Sequence, residues 1–257
     1  MFRFDCHAHV YETVTCVDGA RYLPANAAPL ADWQAHLARH ALQGGVIVQV
    51  SFLGFDNSEL VSALARLNPA RFAGVAVVPL DVPEAELDRL MAAGVRGVRW
   101  NLVRGAMIPD TADPRVARFL DRLKARQLHL ELHLEGPHLA PITRALLDHG
   151  LRVVVDHFGL PSRPDPDDEP WLQALSRMDD LSNLYVKFSA AYRTPFDVAP
   201  HAQALLDLLS PERIVWGSDW PHTQFEQKTG YDHVAAERAT WPRIREEAAA
   251  RVLYGIS

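Results

Sequence analysis

The sequence has few cysteines and no long apolar run, and both absences narrow the class of protein. Its 257 residues include two cysteines, Cys6 and Cys16, which form neither a CxxC pair nor a disulfide framework. A reducing cytosol is therefore the expected compartment. No apolar stretch approaches the roughly 18–20 residues needed to cross a bilayer, and the first residues show no secretory signal. We expect a cytoplasmic protein that binds no membrane.

Positive charge is also scarce. The 26 lysines and arginines are outnumbered by 32 acidic residues, which gives a formal net charge of -6 without any basic run. Such a chain offers no electrostatic reason to bind nucleic acid. Neither GxGxxG nor GxxxxGK[ST] occurs, which argues against a doubly wound nucleotide-binding sheet. A small-molecule partner is expected instead, and a homo-oligomer is compatible with this composition.

Short apolar runs alternate with helical patterns along the chain, and this predicts the fold. Continuous apolar runs are typical of parallel strands buried on both faces. Helical patterns cover residues 30–42, 139–149 and 202–209, and Asp113 is a typical N-cap before Pro114. Residues 11–29 and 161–170 are predicted to be long rim loops. The eight predicted strands are residues 2–6, 46–50, 73–78, 95–100, 128–133, 153–157, 184–188 and 214–217. We predict one domain over residues 1–257, an α/β single (β/α)8 TIM barrel.

The first predicted strand carries a polar motif, Asp5-Cys6-His7-Ala8-His9. Because side chains alternate across a strand, we expect Asp5, His7 and His9 on one face and Cys6 on the other, toward the helices. Two imidazoles at this spacing can hold one cation, and Asp5 could then fix the tautomer of a ring from behind. Taken alone, the motif is explained about equally well by structural histidines.

Further polar residues stand at the ends of other predicted strands. His133 ends the fifth strand, His157 ends the sixth and Asp219 follows the eighth. Barrel enzymes place their catalytic groups at the carboxyl ends of strands, so these side chains and the first-strand histidines should meet. His129 and Glu131 share the strand parity of His133 and are expected to form a buried polar pair.

Five segments of the chain resemble a known family. These are FDCHAHVYE, GVRGVRWNL, VVVDHFGLP, LYVKFSAAYR and VWGSDWPHT. They resemble the amidohydrolase superfamily, in its "amidohydrolase 2" branch, and are most similar to 2-pyrone-4,6-dicarboxylate hydrolases and related lactonases. The resemblance extends over nearly the whole chain.

The resemblance implies a role for each matching residue. It implies that Asp219 is the general base and acid, and that His157 activates water or polarises the substrate. One divalent ion, zinc or manganese, would be held by His7, His9, His133 and Asp219. Substrate would be bound by Arg99, Arg193 and Tyr22. His222 in the WPHT turn is a further candidate for substrate contact, with a rim hydrogen bond as the alternative.

Departures from the pyrone hydrolases leave several reactions open. Leu160 stands where those enzymes have an arginine, and Gly105 replaces a second one, with Arg104 one place away. His133 replaces their usual tyrosine and restores a metal-ligand set, although metal-free chemistry through the other histidines is the alternative. The expected function is opening of a lactone or pyrone-type ester of a small carboxylate. The alternatives are a metal-dependent decarboxylase, a sugar-acid lactonase and a barrel that only binds a carboxylate.

Overall fold

Eight parallel strands form one sheet in sequence order in the computed structural model, which describes residues 3–20 and 22–257. They are β1 (Phe4–Ala8), β2 (Gly44–Val48), β3 (Phe72–Ala76), β4 (Val95–Asn101), β5 (His129–His133), β6 (Val153–Val155), β7 (Leu184–Ser189) and β8 (Ile214–Gly217). Each predicted strand overlaps an observed one. Phe2 of the first predicted strand lies outside the described residues.

The sheet curls round until its first and last strands meet. The amide of Asp219 donates to the carbonyl of His7 at 2.8 Å, and the amide of His9 donates to the carbonyl of Trp220 at 2.7 Å. These two bonds join the chain after β8 to β1, so the described strands form a (β/α)8 barrel. The predicted fold class is confirmed, and the carboxyl ends of all strands face one mouth.

Helices follow the strands and cover the outside of the barrel. Asp113 caps its helix as predicted, accepting a 2.8 Å hydrogen bond from the amide of Arg115. The helices are α1 (Leu30–Arg39), α2 (Ser58–Leu64), α3 (Glu84–Ala92), α4 (Pro114–Ala125), α5 (Gly136–Asp148), α6 (Pro170–Leu175), α7 (Ala199–Leu208), α8 (Tyr231–Glu237) and α9 (Glu246–Tyr254). Among the described residues, none of these helices has the length and apolar character required to cross a membrane.

The lower half of the barrel is filled by small and branched apolar side chains. Val46, Val154 and Val215 belong to one buried cluster that also contains Leu253 and Tyr254 of α9. Helix α9 therefore closes the amino-terminal end of the barrel. Its first residue, Glu246, accepts hydrogen bonds from the amides at the start of β1.

The first strand contains an irregularity that the sequence pattern did not predict. Its pairing with β2 shifts by one residue between Asp5 and Ala8, so strict alternation fails there. Cys6 consequently packs inside the barrel with the apolar cluster, and the prediction that it faces the helices is wrong. Asp5 faces outward instead, where Trp33 Nε1 donates to it at 2.9 Å and Tyr231 Oη at 3.0 Å. Asp5 thus fixes two helices to the barrel and does not orient an imidazole.

The barrel interior leaves no room for a side chain at Gly97. A Cβ atom there would lie 2.2 Å from His129 Nε2, inside a fully buried layer. We therefore expect Gly97→Ala to lower the free energy of unfolding by about 1–3 kcal/mol, the usual cost of overpacking. Urea denaturation measures the change. Gly230→Ala is the control, because a Cβ there meets nothing within 4 Å, and an equal loss in both variants would contradict this account.

Candidate active site

The ends of β1, β6 and β8 bring three imidazoles to one carboxylate. Asp219 Oδ1 lies 3.5 Å from His7 Nε2, 3.5 Å from His9 Nε2 and 3.9 Å from His157 Nε2. All four side chains are buried, with at most 4% of any of them exposed. The structure therefore brings together strand-end residues from three separate parts of the chain.

The rings are held from behind so that their Nε2 atoms face the centre. His9 Nδ1 lies 2.7 Å from the carbonyl of Val48, which can only accept, so His9 donates from Nδ1 and its neutral form has the lone pair on Nε2. His157 Nδ1 lies 2.8 Å from Ser189 Oγ. In this way a backbone carbonyl and a hydroxyl group fix the orientation of the two rings, with Nε2 directed toward Asp219.

The donor set fits a single divalent cation. His7 Nε2, His157 Nε2 and Asp219 Oδ1 are buried without a hydrogen-bond partner among the residues described. These three ligand atoms lie within 4.8 Å of one another. Nitrogen and carboxylate oxygen ligands in such a cluster suit zinc or manganese. Buried polar atoms that converge without partners indicate that a ligand belongs between them.

His133 lies beside His157 and outside the group formed by His7, His157 and Asp219. Its ring meets the His157 ring edge-on, with centroids 4.9 Å apart. Its ligand atom groups with those of Asp156 and His157, while the group formed by His7, His157 and Asp219 does not contain it. His157 is thus within 3.9 Å of the Asp219 carboxylate, whereas His133 lines the wall beside it.

Asp219 is fixed through its second oxygen. Arg193 Nε donates to Oδ2 at 2.8 Å, and Tyr192 Oη donates to the same atom at 2.6 Å. Burial would raise the pKa of Asp219, but the charge of Arg193 holds it well below its usual range. The carboxylate is therefore ionised, and Oδ1 is the oxygen that remains directed into the site.

A buried ionic network lies directly beneath the histidines. Lys187 Nζ is 2.6 Å from Glu131 Oε1 and 3.5 Å from Asp156 Oδ1, and Arg99 Nε donates to Asp156 Oδ2 at 2.8 Å. Burial opposes ionisation of Asp156, yet Arg99 and Lys187 hold its pKa well below the ordinary value. The predicted pairing of His129 with Glu131 is confirmed at 3.3 Å, and Lys187 is its unpredicted partner.

His7, His157 and His133 are neutral near pH 7. Burial, followed by the nearby charge of Lys187, lowers the pKa of His7 to about 3. Burial also places the pKa of His157 and of His133 well below the usual value. Neutral rings keep one lone pair and one N–H each, so they can act as ligands or as hydrogen-bond donors.

A cavity of about 200 Å³ opens above Asp219 toward the solvent. Predicted substrate residues Arg99, Arg193 and Tyr22 line it, and so does Leu160. His222 is not among the lining residues; it is buried with its ring packed edge-on against Tyr192, with centroids 5.6 Å apart. The remaining walls include His9, Ser51, Asn101, Arg104, His133, Glu135, His157, Asp219 and Thr223.

The backbone at His157 and Asp219 is strained. His157 (φ 55°) and Asp219 (φ 58°) both lie in the left-handed region that non-glycine residues rarely adopt. Such conformations cost on the order of 1–3 kcal/mol each and persist where the surroundings fix them. Strand ends that turn sharply in this way direct the side chains across the barrel mouth and not along its wall.

Sequence reasoning missed three residues that hold this arrangement. Lys187 and Tyr192 both lie in the LYVKFSAAYR segment, and Asp156 directly precedes His157. The signal that could have found Lys187 is strand parity: a lysine inside an apolar run such as β7 points into the barrel and must have buried partners there. The contacts of Arg193 with Asp219 could not be read from spacing.

A barrel with converging imidazoles and an ionised carboxylate at its mouth defines a hydrolase-type active site of the (β/α)8 class. The amidohydrolase family model matches residues 4–255. The chain therefore belongs to the amidohydrolase family, as its motifs predicted.

Individual relatives agree with this assignment. The chain is 30% identical over 244 residues to 2-pyrone-4,6-dicarboxylate hydrolase of Comamonas testosteroni, covering 85% of this chain and 76% of that protein. It is 28% identical over 237 residues to 4-sulfomuconolactone hydrolase of Rhizobium radiobacter, covering 86% and 76%. A crystal structure of a probable 2-pyrone-4,6-dicarboxylic acid hydrolase from Acinetobacter baumannii, with citric acid bound, has a TM-score of 0.88 and 30% identity, with 100% of both chains covered.

Replacing Arg193 should reveal how strongly the site depends on this ion pair. Arg193→Met leaves the buried Asp219 carboxylate without its cation, which typically costs about 3–5 kcal/mol of stability at neutral pH. The low folded-state pKa of Asp219 stabilises the wild type above the unfolded aspartate pKa of about 3.9, and that contribution is lost as the pH falls further. In the variant the pKa of Asp219 rises, so the deficit relative to wild type should shrink as the pH is lowered.

Urea denaturation at neutral and mildly acidic pH measures this deficit. Arg115→Met is the control, because the Arg115 side chain is 76% exposed and pairs only at the surface. A deficit that stays constant with pH would contradict the assignment of an ionised Asp219.

Proposed function

We propose that this protein hydrolyses a lactone or pyrone-type ester of a small carboxylate, with Asp219 as the base. The observation that carries the proposal is the position of Asp219 Oδ1, which faces three imidazoles beside a cavity while Oδ2 is held by Arg193 and Tyr192. The family and the lactone-hydrolysing relatives support the same class of reaction.

Asp219 is ionised and its Oδ1 atom is directed into the site, as a general base requires. Oδ1 accepts a proton from water while the water oxygen bonds to the lactone carbonyl carbon, and the carbonyl oxygen becomes an oxyanion. A neutral imidazole such as His157 stabilises that oxyanion by donating a hydrogen bond from Nε2. The protonated Asp219 then returns its proton to the ring oxygen as the C–O bond breaks, which yields a hydroxy acid and restores the carboxylate.

A divalent ion, zinc or manganese, is compatible with this scheme. His7, His9 and Asp219 would hold it, with His133 or His157 as a further ligand. When bound, such an ion polarises a carbonyl and lowers the pKa of a bound water to about 7. If no ion takes part, His7 and His157 bind the carbonyl oxygen directly, and Asp219 keeps its role.

Arg99 is the residue best placed to bind a carboxylate of the substrate. Its Nε atom is committed to Asp156, but its terminal nitrogens form no hydrogen bond within the described chain and the residue lines the cavity. A guanidinium can bind a carboxylate through two parallel hydrogen bonds. Arg193 already neutralises Asp219, and Leu160 adds an apolar wall, so the cavity suits a substrate with few negative charges.

Removing the base should abolish turnover without unfolding the protein. Asp219→Asn keeps the shape of the side chain and tolerates a left-handed backbone, but it cannot accept the water proton. We expect kcat for lactone opening to fall by at least about 10²–10⁴-fold, the range attributed to a positioned general base. Turnover is measured over a panel of lactones and pyrone carboxylates, with circular dichroism to verify folding.

The surface variant Asp167→Asn provides the matched control and should react like the wild type. Near-normal ring opening by Asp219→Asn would rule out the proposed base. Release of CO2 in place of ring opening would instead identify a decarboxylase.

Metal content and its effect on activity can be measured separately. Elemental analysis of untreated protein is expected to show about one divalent ion per chain, the content of a single site with three or four protein ligands. Activity should fall with chelation in proportion to the ion lost and return when zinc or manganese is added. Undiminished activity in demonstrably metal-free protein would leave only the direct action of the imidazoles.

A further inference from the structure

The three imidazoles around Asp219 differ in what lies behind them. His9 faces a carbonyl and His157 faces a hydroxyl, as described above. His7 faces a cation: Lys187 Nζ lies 3.1 Å from His7 Nδ1, and both side chains are fully buried. This contact lies outside the proposed catalytic steps, and it constrains where His7 carries its proton.

An ammonium group has three N–H donors and no lone pair. Lys187 has three acceptors within reach, namely Glu131 Oε1 at 2.6 Å, His7 Nδ1 at 3.1 Å and Asp156 Oδ1 at 3.5 Å. Its contact with His7 can therefore be a hydrogen bond only if Nδ1 presents its lone pair, which leaves the ring proton on Nε2.

The opposite tautomer is the less favourable arrangement. It would direct an Nδ1 proton toward Asp156 Oδ1 at 3.4 Å, which is longer than a good hydrogen bond. Because His7 Nδ1 lies 3.1 Å from Lys187 Nζ, that proton would also face the ammonium group, and two donors would oppose each other in a buried site.

We propose that Lys187 is a positioning residue that holds His7 with its proton on Nε2, pointing at the reacting centre. In this tautomer His7 donates a hydrogen bond to the substrate carbonyl oxygen, whereas His9 presents a lone pair. The inference rests on the proposed hydrolysis for its catalytic meaning, but the tautomer itself requires no substrate.

The tautomer has a consequence for metal binding. A metal ion bound through His7 Nε2 needs that atom unprotonated, so the proton must move to Nδ1 and toward Asp156. Lys187 opposes this change by its hydrogen bond and by its charge. The residue therefore lowers the affinity of the site for a divalent cation.

Nitrogen NMR of the ring atoms tests the proposal without any variant. In protein labelled with ¹⁵N-histidine and shown by elemental analysis to be metal-free, His7 should give a protonated Nε2 and an unprotonated Nδ1. The resonance is assigned from its loss in His7→Gln. A protonated Nδ1 on His7 in the wild type overturns the proposal, whatever the activity of the enzyme.

Zinc titration provides the second measurement. Lys187→Met removes the donor, so the His7 proton should move to Nδ1 and zinc affinity should rise about 10- to 100-fold, the size of effect reported for groups behind a ligating histidine. Lys124→Met is the control, because that amine donates to the carbonyl of His149 on the outside of the barrel. Unchanged zinc affinity in a folded Lys187→Met protein contradicts the proposal.

The two experiments separate this inference from the proposed function. If Lys187→Met does not fold, the wild-type spectrum still decides the tautomer. If no lactone is hydrolysed but His7 carries its proton on Nε2, the proposed function fails and the role of Lys187 stands.

Discussion

The salt bridges of Asp156 with Arg99 and Lys187 are the interaction on which the active site depends. They lie in a barrel interior that would ordinarily hold only aliphatic side chains. Burying these charges is costly, and their mutual pairing, together with Glu131, makes the layer tolerable. In return the layer provides fixed charge below the imidazoles, so His7 is neutral and oriented before any substrate arrives. The same buried ionic layer therefore affects both the stability of the protein and the preorganisation of the site.

The ion pair of Asp219 has two opposing effects on its ability to act as a base. The ion pair with Arg193 guarantees a carboxylate, but a carboxylate with a depressed pKa is a weak base. In the proposed hydrolysis, proton transfer to Asp219 becomes favourable only when the carbonyl under attack is strongly polarised. The imidazoles that face Oδ1 would supply that polarisation, with or without a metal ion. In that reaction the base and the electrophilic groups would act together, as their packing within a few ångströms allows.

The sequence predicted the features that depend on hydrophobic periodicity and on position relative to the strands. Eight apolar runs predicted the barrel, and the rule that catalytic groups follow strands singled out His157 and Asp219. Alternation failed in β1, because the register shift between Asp5 and Ala8 depends on pairing with β2, which no local pattern encodes. The partners of Arg193 and Lys187 were not readable either. Both are set by side-chain directions across the barrel, between residues far apart in the chain.

Closure of the barrel floor by α9 determines when the protein can finish folding. The hydrogen bonds that join Glu246 to the amides of Arg3 and Phe4 span 243 and 242 residues of sequence. During synthesis the valines of the interior stay uncovered from below until α9 leaves the ribosome, although every strand has already been made. Such distant contacts slow folding and leave apolar surface exposed to other chains.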